Sequence, residues 1–196
     1  MRIAIEGAPG VGKSTLCNQL AELFPCQLVT EPVDDNYYLE DYYKDPSRWA
    51  LAMQIELLTR RVMDAARTCH LGGITLHDRS LWGDRIFGKA VHQMGLMDDR
   101  EFKTYDRVFR ALLEKAYLPD IILYLRADPQ VVWERVQARN RGAEDGMQQS
   151  YLNKVITEYE RFFDEPPIGA VVTAVDWNEY RTPEDVLGVL MNHIKK

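Results

Sequence analysis

The first sixteen residues, MRIAIEGAPGVGKSTL, constrain this chain more than any other stretch. Ile3 and Ile5 alternate with their neighbours as in a short buried strand. Gly7-Ala8-Pro9-Gly10-Val11-Gly12-Lys13-Ser14 then fits G-x-x-x-x-G-K-[ST] at every fixed position. Ser14 to Phe24 reads as a helix. Strand, glycine loop and helix in that order form the setting in which this pattern holds phosphate. The glycines let the backbone close around an anion because no Cβ blocks the approach. Successive N–H groups turn inward, and the helix adds the positive end of its dipole. Lys13 is placed to reach the β- and γ-phosphates and the Ser14 hydroxyl to ligate Mg²⁺. The loop from Gly7 through Thr15 is the nucleotide-binding candidate. The bland alternative is a glycine-rich turn that binds nothing; the intact pattern and its flanks argue against it.

A length of 196 residues suits a single domain with a substantial core. The formal net charge is -6 and the pI about 5.3, which argues against a protein held on nucleic acid by bulk charge. Cys17, Cys26 and Cys69 show neither a C-x-x-C nor a metal spacing, so they read as reduced thiols. A core strand at the very start leaves no room for a signal peptide, and no apolar run approaches the ~20 residues of a membrane span. The expectation is a cytoplasmic protein without a membrane partner.

Along the chain, Gln27 to Thr30 reads as a second strand ending at Glu31-Pro32. Val33 to Pro46 is polar and aromatic. Ser47 is a candidate cap for a helix running to about Cys69. Ile74 to His77 is a third strand, ending at Asp78-Arg79-Ser80. Helices follow at about Leu81 to Gln93 and Asp98 to Tyr117. Asp120 to Leu125 is a strongly apolar fourth strand, suited to burial on both faces. A helix from Asp128-Pro129 towards Arg139, a polar segment, a helix from Gln148 to Phe163, a fifth strand at Val171 to Val175 and a closing helix from Thr182-Pro183 complete the chain. This alternation predicts an α/β fold: five parallel strands with helices on both faces.

Ligands of such sheets sit beyond the carboxyl ends of the strands. The glycine loop, Glu31, and Asp78 with Arg79 all fall there. Phosphoryl transfer needs metal ligands, a group that orients the acceptor, and positive charge on the γ-phosphate. Asp78 is the metal candidate beside Ser14, and Glu31 can orient an acceptor hydroxyl. Arg79 can sit between Glu31 and the phosphates and would keep Glu31 ionised. A surface ion pair at Asp78-Arg79 and a solvated loop at Glu31 are the alternatives.

Arg135 and Arg139 are four apart and share a helix face, with Arg141 just beyond. Converging guanidiniums would clamp phosphate and stabilise charge in transfer. Without that, they form a solvated basic edge that Glu134 and Glu144 could neutralise. With Gly142 and Gly146 around it, the segment of about residues 139–147 could be a closing lid. Tyr37, Tyr38, Tyr42 and Tyr43 suit either packing or a sugar or base site. Gln54 and Arg61, seven apart on an otherwise apolar helix, lie either at the core's edge or in a pocket. Glutamine carries both a donor and an acceptor, which suits a base edge.

These residues resemble the deoxynucleoside kinases, a family that includes deoxycytidine and deoxyguanosine kinases and bacterial deoxyadenosine/deoxyguanosine kinases. The resemblance rests on GAPGVGKST, EPV at Glu31, YKDPSRWALAMQ from Tyr43, DRSLWGDRIF from Asp78, and RVQARNRGAEDG from Arg135 with Tyr151-Leu152 after it. It implies that Glu31 is general base on a 5′-hydroxyl, that Arg79 holds it, and that Asp78 helps place Mg²⁺. It implies that Tyr43 and Glu144 bind the sugar 3′-hydroxyl, Gln54 pairs with the base, and Phe87 stacks on it. Arg135, Arg139 and Arg141 would belong to the lid. Arg61 and Asp84 match a pair near the base in purine- and deoxycytidine-using members. Asn36 stands where many animal relatives have tryptophan, and Asp78 where others have glutamate. Relatives are dimers, so a homodimer is expected.

The reading is an ATP- and Mg²⁺-dependent P-loop kinase that acts on deoxyadenosine, deoxyguanosine or deoxycytidine in preference to thymidine. The main rival is a nucleoside monophosphate kinase such as thymidylate kinase. In those the EP is usually followed by a glycine pair, whereas here Val33-Asp34-Asp35 follows, and acids fit poorly beside a substrate phosphate. A switch GTPase or non-catalytic nucleotide module would need an N-K-x-D, which the chain lacks.

Overall fold

In a computed structural model, the structure describes residues 1–30, 36–68, 70, 72–139, 147–166 and 169–194. Strand β1 (Arg2–Glu6) is central, between β3 (Thr75–Asp78) and β4 (Ile121–Arg126). Strands β2 (Gln27–Val29) and β5 (Val171–Asp176) form the edges, giving the order β2-β3-β1-β4-β5. Every pairing is parallel. Parallel neighbours need long crossovers, which the intervening helices supply. In register, Ile5 lies opposite Asp78 and Glu6 opposite Tyr124, so the ends of β1, β3 and β4 open onto one edge of the sheet.

Alternation along the strands divides the core. Ile3 and Ile5 of β1 and Leu123 and Leu125 of β4 pack with Leu16 and Leu20 of α1 (Lys13–Leu23) and with Val186 and Leu190 of α8 (Pro183–Ile194). On the other face Tyr124 packs with Ile86 and Ala90 of α4 (Leu81–Gln93) and with Val155 and Tyr159 of α7 (Gln149–Asp164). A further layer joins Leu58 of α3 (Pro46–Thr68), Leu81, and Tyr105 and Phe109 of α5 (Asp99–Leu113). Each fully buried side chain of this size removes enough apolar surface to be worth about 1.5–3 kcal/mol.

Two details differ from the sequence expectation. The stretch read as polar and aromatic contains helix α2 (Leu39–Lys44), which packs through Tyr42 onto Ala50 and Met53 of α3. Ser47 does not cap α3 but lies inside it. Asp45 does the capping, its Oδ1 accepting from the Arg48 backbone N–H at 3.3 Å, and Pro46 takes the first helical position. That position suits proline because its missing N–H would have had no intrahelical partner. Helix α6 is described over Pro129–Arg139, and residues 140–146 of the expected lid lie outside the described residues.

Candidate active site

The phosphate loop is built as its glycines require. Gly10 and Gly12 have φ of 78° and 106°, in the region that residues with a Cβ avoid. A Cβ on Gly10 would sit 2.3 Å from Val136 Cγ2, so this turn also needs glycine for space. Ala8 and Val11 are buried in the main core and tie the loop down. Lys13 is buried, and its Nζ donates to the Ala8 carbonyl at 3.0 Å. The cation is thereby held across the loop rather than swinging free.

Beside it, Ser14 Oγ donates to Asp78 Oδ2 at 2.5 Å, and Asp78 Oδ1 is buried with no hydrogen-bond partner. Two hard oxygens at the edge of a phosphate loop, one carrying an unsatisfied lone pair, fit Mg²⁺. That ion takes one or two protein oxygens and completes its shell with phosphate and water.

Arg79 follows Asp78 with φ 82°, and is the only non-glycine residue with positive φ among the described residues. Such a conformation costs about 1–3 kcal/mol and persists only when the surroundings enforce it. The Arg79 Nη1 donates to the Gly7 carbonyl at 3.2 Å and to the Tyr159 hydroxyl. Its guanidinium lies over the Phe87 ring, 4.6 Å from the centroid. Behind it stands Glu6, fully buried, which accepts from Tyr159, from the Ser80 backbone and from Ser80 Oγ.

Lys13, Ser14, Asp78 and Arg79 open into one cleft of about 440 Å³, within the usual range for a small-molecule site. From the phosphate loop Pro9, Gly10, Lys13 and Ser14 line it, and from α6 Arg139. Asp78 and Arg79 also line it, as do Tyr43, Gln54, Phe87 and Tyr151. Gln54 is 3% exposed and its Oε1 has no partner, so it offers an acceptor to whatever enters. Burial, reinforced by the neighbouring Tyr42 and Tyr43 phenols, pushes the Tyr151 phenol well above its ordinary range. It therefore stays a protonated donor at neutral pH.

Other predicted residues lie elsewhere. Arg61 and Asp84 form the expected buried pair, Nε to Oδ2 at 2.6 Å, but neither lines the cleft. Arg61 Nη1 lies 3.4 Å from the carbonyl of Asp78, which does line it. Arg135 does not line the cleft either. Its guanidinium donates to the Trp177 and Asn178 carbonyls at 2.9 and 2.8 Å and lies over the Tyr180 ring. Thr15 belongs to α1 but not to the cleft wall. Glu31, Arg141 and Glu144 lie outside the described residues. Sequence reading missed Glu6 and Tyr159. For Glu6 one signal was available: an acid interrupting a strand whose other face is apolar.

The deoxynucleoside kinase family matches the chain over residues 3–196. The chain is 33% identical over 184 residues to a deoxyadenosine kinase of Dictyostelium discoideum, covering 94% of this chain and 75% of that one. It is 35% identical over 163 residues to a deoxyadenosine/deoxycytidine kinase of Bacillus subtilis (strain 168), covering 82% and 75%. The structure of deoxyadenosine kinase from M. mycoides with bound dATP superposes with a TM-score of 0.88 over 100% of both chains, at 28% identity. The chain belongs to the deoxynucleoside kinase family, with the P-loop kinase fold of its structural neighbours. It is a kinase that phosphorylates deoxynucleosides.

Proposed function

We propose that this kinase transfers the γ-phosphoryl of ATP to the 5′-hydroxyl of deoxyadenosine, deoxyguanosine or deoxycytidine, with thymidine a poor substrate. The reading is carried by one observation: a single cleft joins Lys13 and Ser14, the Asp78-Arg79 pair, and Gln54 with Phe87. The relatives' names point to two of these, deoxyadenosine and deoxycytidine. Ser14 and Asp78 would hold Mg²⁺, which neutralises charge on the β- and γ-phosphates. Lys13 and the Gly7–Thr15 backbone bind the phosphates, Arg79 and Arg139 stabilise charge in transfer, and Glu31 orients and deprotonates the acceptor hydroxyl. Tyr43 and Glu144 take the sugar, Gln54 and Phe87 the base, and the Arg61–Asp84 pair shapes the base end. Arg139 and Arg141, on the segment of about residues 139–147, close over the phosphates, and Arg135 steadies its base. The enzyme would work as a cytoplasmic homodimer, which sedimentation at micromolar concentration checks. No helix among the described residues is long and apolar enough to cross a membrane.

The deciding experiment incubates the enzyme with radiolabelled ATP, Mg²⁺ and a panel of deoxynucleosides and nucleoside monophosphates. Phosphorylation of the purine deoxynucleosides or deoxycytidine, with monophosphates inert, is expected. Monophosphate turnover would reverse the assignment. Lys13→Ala in the same assay should lower kcat by about 10³-fold or more while the fold survives. Activity within tenfold of wild type would remove Lys13 from transition-state stabilisation.

A further inference from the structure

Glu6 is the last residue of the central strand and fully buried, yet the phosphate-loop pattern does not require it. A buried carboxylate is costly unless its oxygens are satisfied. Here they are, and these partners belong to one assembly. Glu6 Oε1 accepts from the Ser80 backbone N–H at 2.6 Å and from Ser80 Oγ at 2.7 Å. Glu6 Oε2 accepts from the Tyr159 hydroxyl at 2.8 Å and lies 3.8 Å from Arg79 Nη1. Tyr159, also fully buried, accepts from Arg79 Nη1. The Asp78-Arg79-Ser80 turn is thus gripped at its one left-handed residue, through the Arg79 side chain, and again at Ser80 directly after it.

We propose that Glu6 and Tyr159 are positioning residues for phosphoryl transfer, which hold the strained Asp78-Arg79-Ser80 turn and fix the Arg79 guanidinium at the cleft. Glu6 directly precedes Gly7, so one strand end registers both the phosphate loop and the arginine. Tyr159 supplies the same anchor from α7, the helix that follows residues 140–146. Displacement of a transfer group by about 1 Å costs on the order of 10²-fold in rate, which sets the scale of the effect. The inference rests on Arg79 acting on the reacting groups, as proposed above.

The test measures kcat and both KM values for Glu6→Gln, Tyr159→Phe and Arg79→Lys, and for each of the first two combined with Arg79→Lys. Melting curves verify folding. Glu6→Gln should lower kcat by about 10²-fold with both KM values within about threefold, and Tyr159→Phe by about tenfold. In the Arg79→Lys background either change should cost less than about threefold more, because its target is already gone. Losses that multiply independently, or folded single variants with wild-type kcat, would overturn the inference. If Glu6→Gln does not fold, Tyr159→Phe, which removes one hydroxyl, decides by the same criteria. If Arg79→Lys itself keeps full kcat, the role given to Arg79 falls and the inference with it. If Arg79→Lys is crippled while the other two are unaffected, the inference alone falls.

Discussion

Gly83, in the first turn of α4, shows how tightly the arginine is held. A Cβ there would lie 2.6 and 2.8 Å from Arg79 Cγ and Cδ, and 3.0 Å from Glu6 Oε2. In an open helix Gly→Ala would gain about 1 kcal/mol. Overpacking against the Arg79 stem costs about 1–3 kcal/mol, so the clash decides the sign. Gly83→Ala should therefore destabilise the enzyme and lower kcat more than it raises KM for the deoxynucleoside, since the arginine must move. A variant that melts higher with unchanged kcat would contradict this packing. The Arg61–Asp84 pair makes a second residue-scale case. Asp84→Ala alone takes the carboxylate away from the buried Arg61 guanidinium, which costs about 3–5 kcal/mol, whereas Arg61→Met with Asp84→Ala removes both charges and should melt closer to wild type. The same double variant should raise thymidine kcat/KM relative to deoxyadenosine if the pair shapes the base end. An unmoved ratio would end that role. Legibility at this scale follows sequence distance. Lys13, Ser14, Asp78 and Arg79 sit in short patterns at strand ends, while the Tyr159–Glu6 bond joins residues 153 positions apart and leaves no local trace.

Helix starts whose signals are local were readable almost to the residue, although α5 ends at Leu113 and not near Tyr117. Asp98 begins α5 with a capping box: its side chain accepts from the Glu101 N–H at 2.7 Å, and Glu101 returns a bond from the Asp98 N–H at 2.9 Å. Asp98→Ala removes the first of these. It should cost about 1 kcal/mol and lower the melting temperature by about 2–4 °C in a chain of this size. Neither residue lines the cleft, so kcat should not change; a kcat loss would mean that α5 bears on the site. Helix α2 was missed because six residues are too few for a period to emerge. Its stability comes from Tyr42 and neighbouring rings packed on α3, not from propensity. The α3 boundary slipped for a related reason. Ser47 and Asp45 are both good caps, and only the three-dimensional bond to Arg48 chooses between them.

Across the molecule, strand type and count were legible, whereas the order β2-β3-β1-β4-β5 was not, because it depends on pairings between distant segments. One of those pairings exposes the whole fold to acid. His77 lies in β3, between β1 and β2, with its Nε2 3.1 Å from Thr75 Oγ1. Burial first, then the Arg61 and Arg2 charges, lower its pKa to about 4. An unfolded histidine titrates near 6.5. Between these values the unfolded chain binds a proton that the folded chain refuses, so stability rises with pH across the window. The contribution is complete above about pH 6.5, shrinks as pH falls towards 4, and changes no further below that. At about 1.4 kcal/mol per unit, the loss from pH 7.5 to pH 5 is at most about 2 kcal/mol. Urea unfolding at the two pH values measures it. His77→Gln, which cannot take up the proton, should show a shallower fall than wild type. Equal slopes in the two proteins would place the acid sensitivity in the carboxylates and leave β3 out of it.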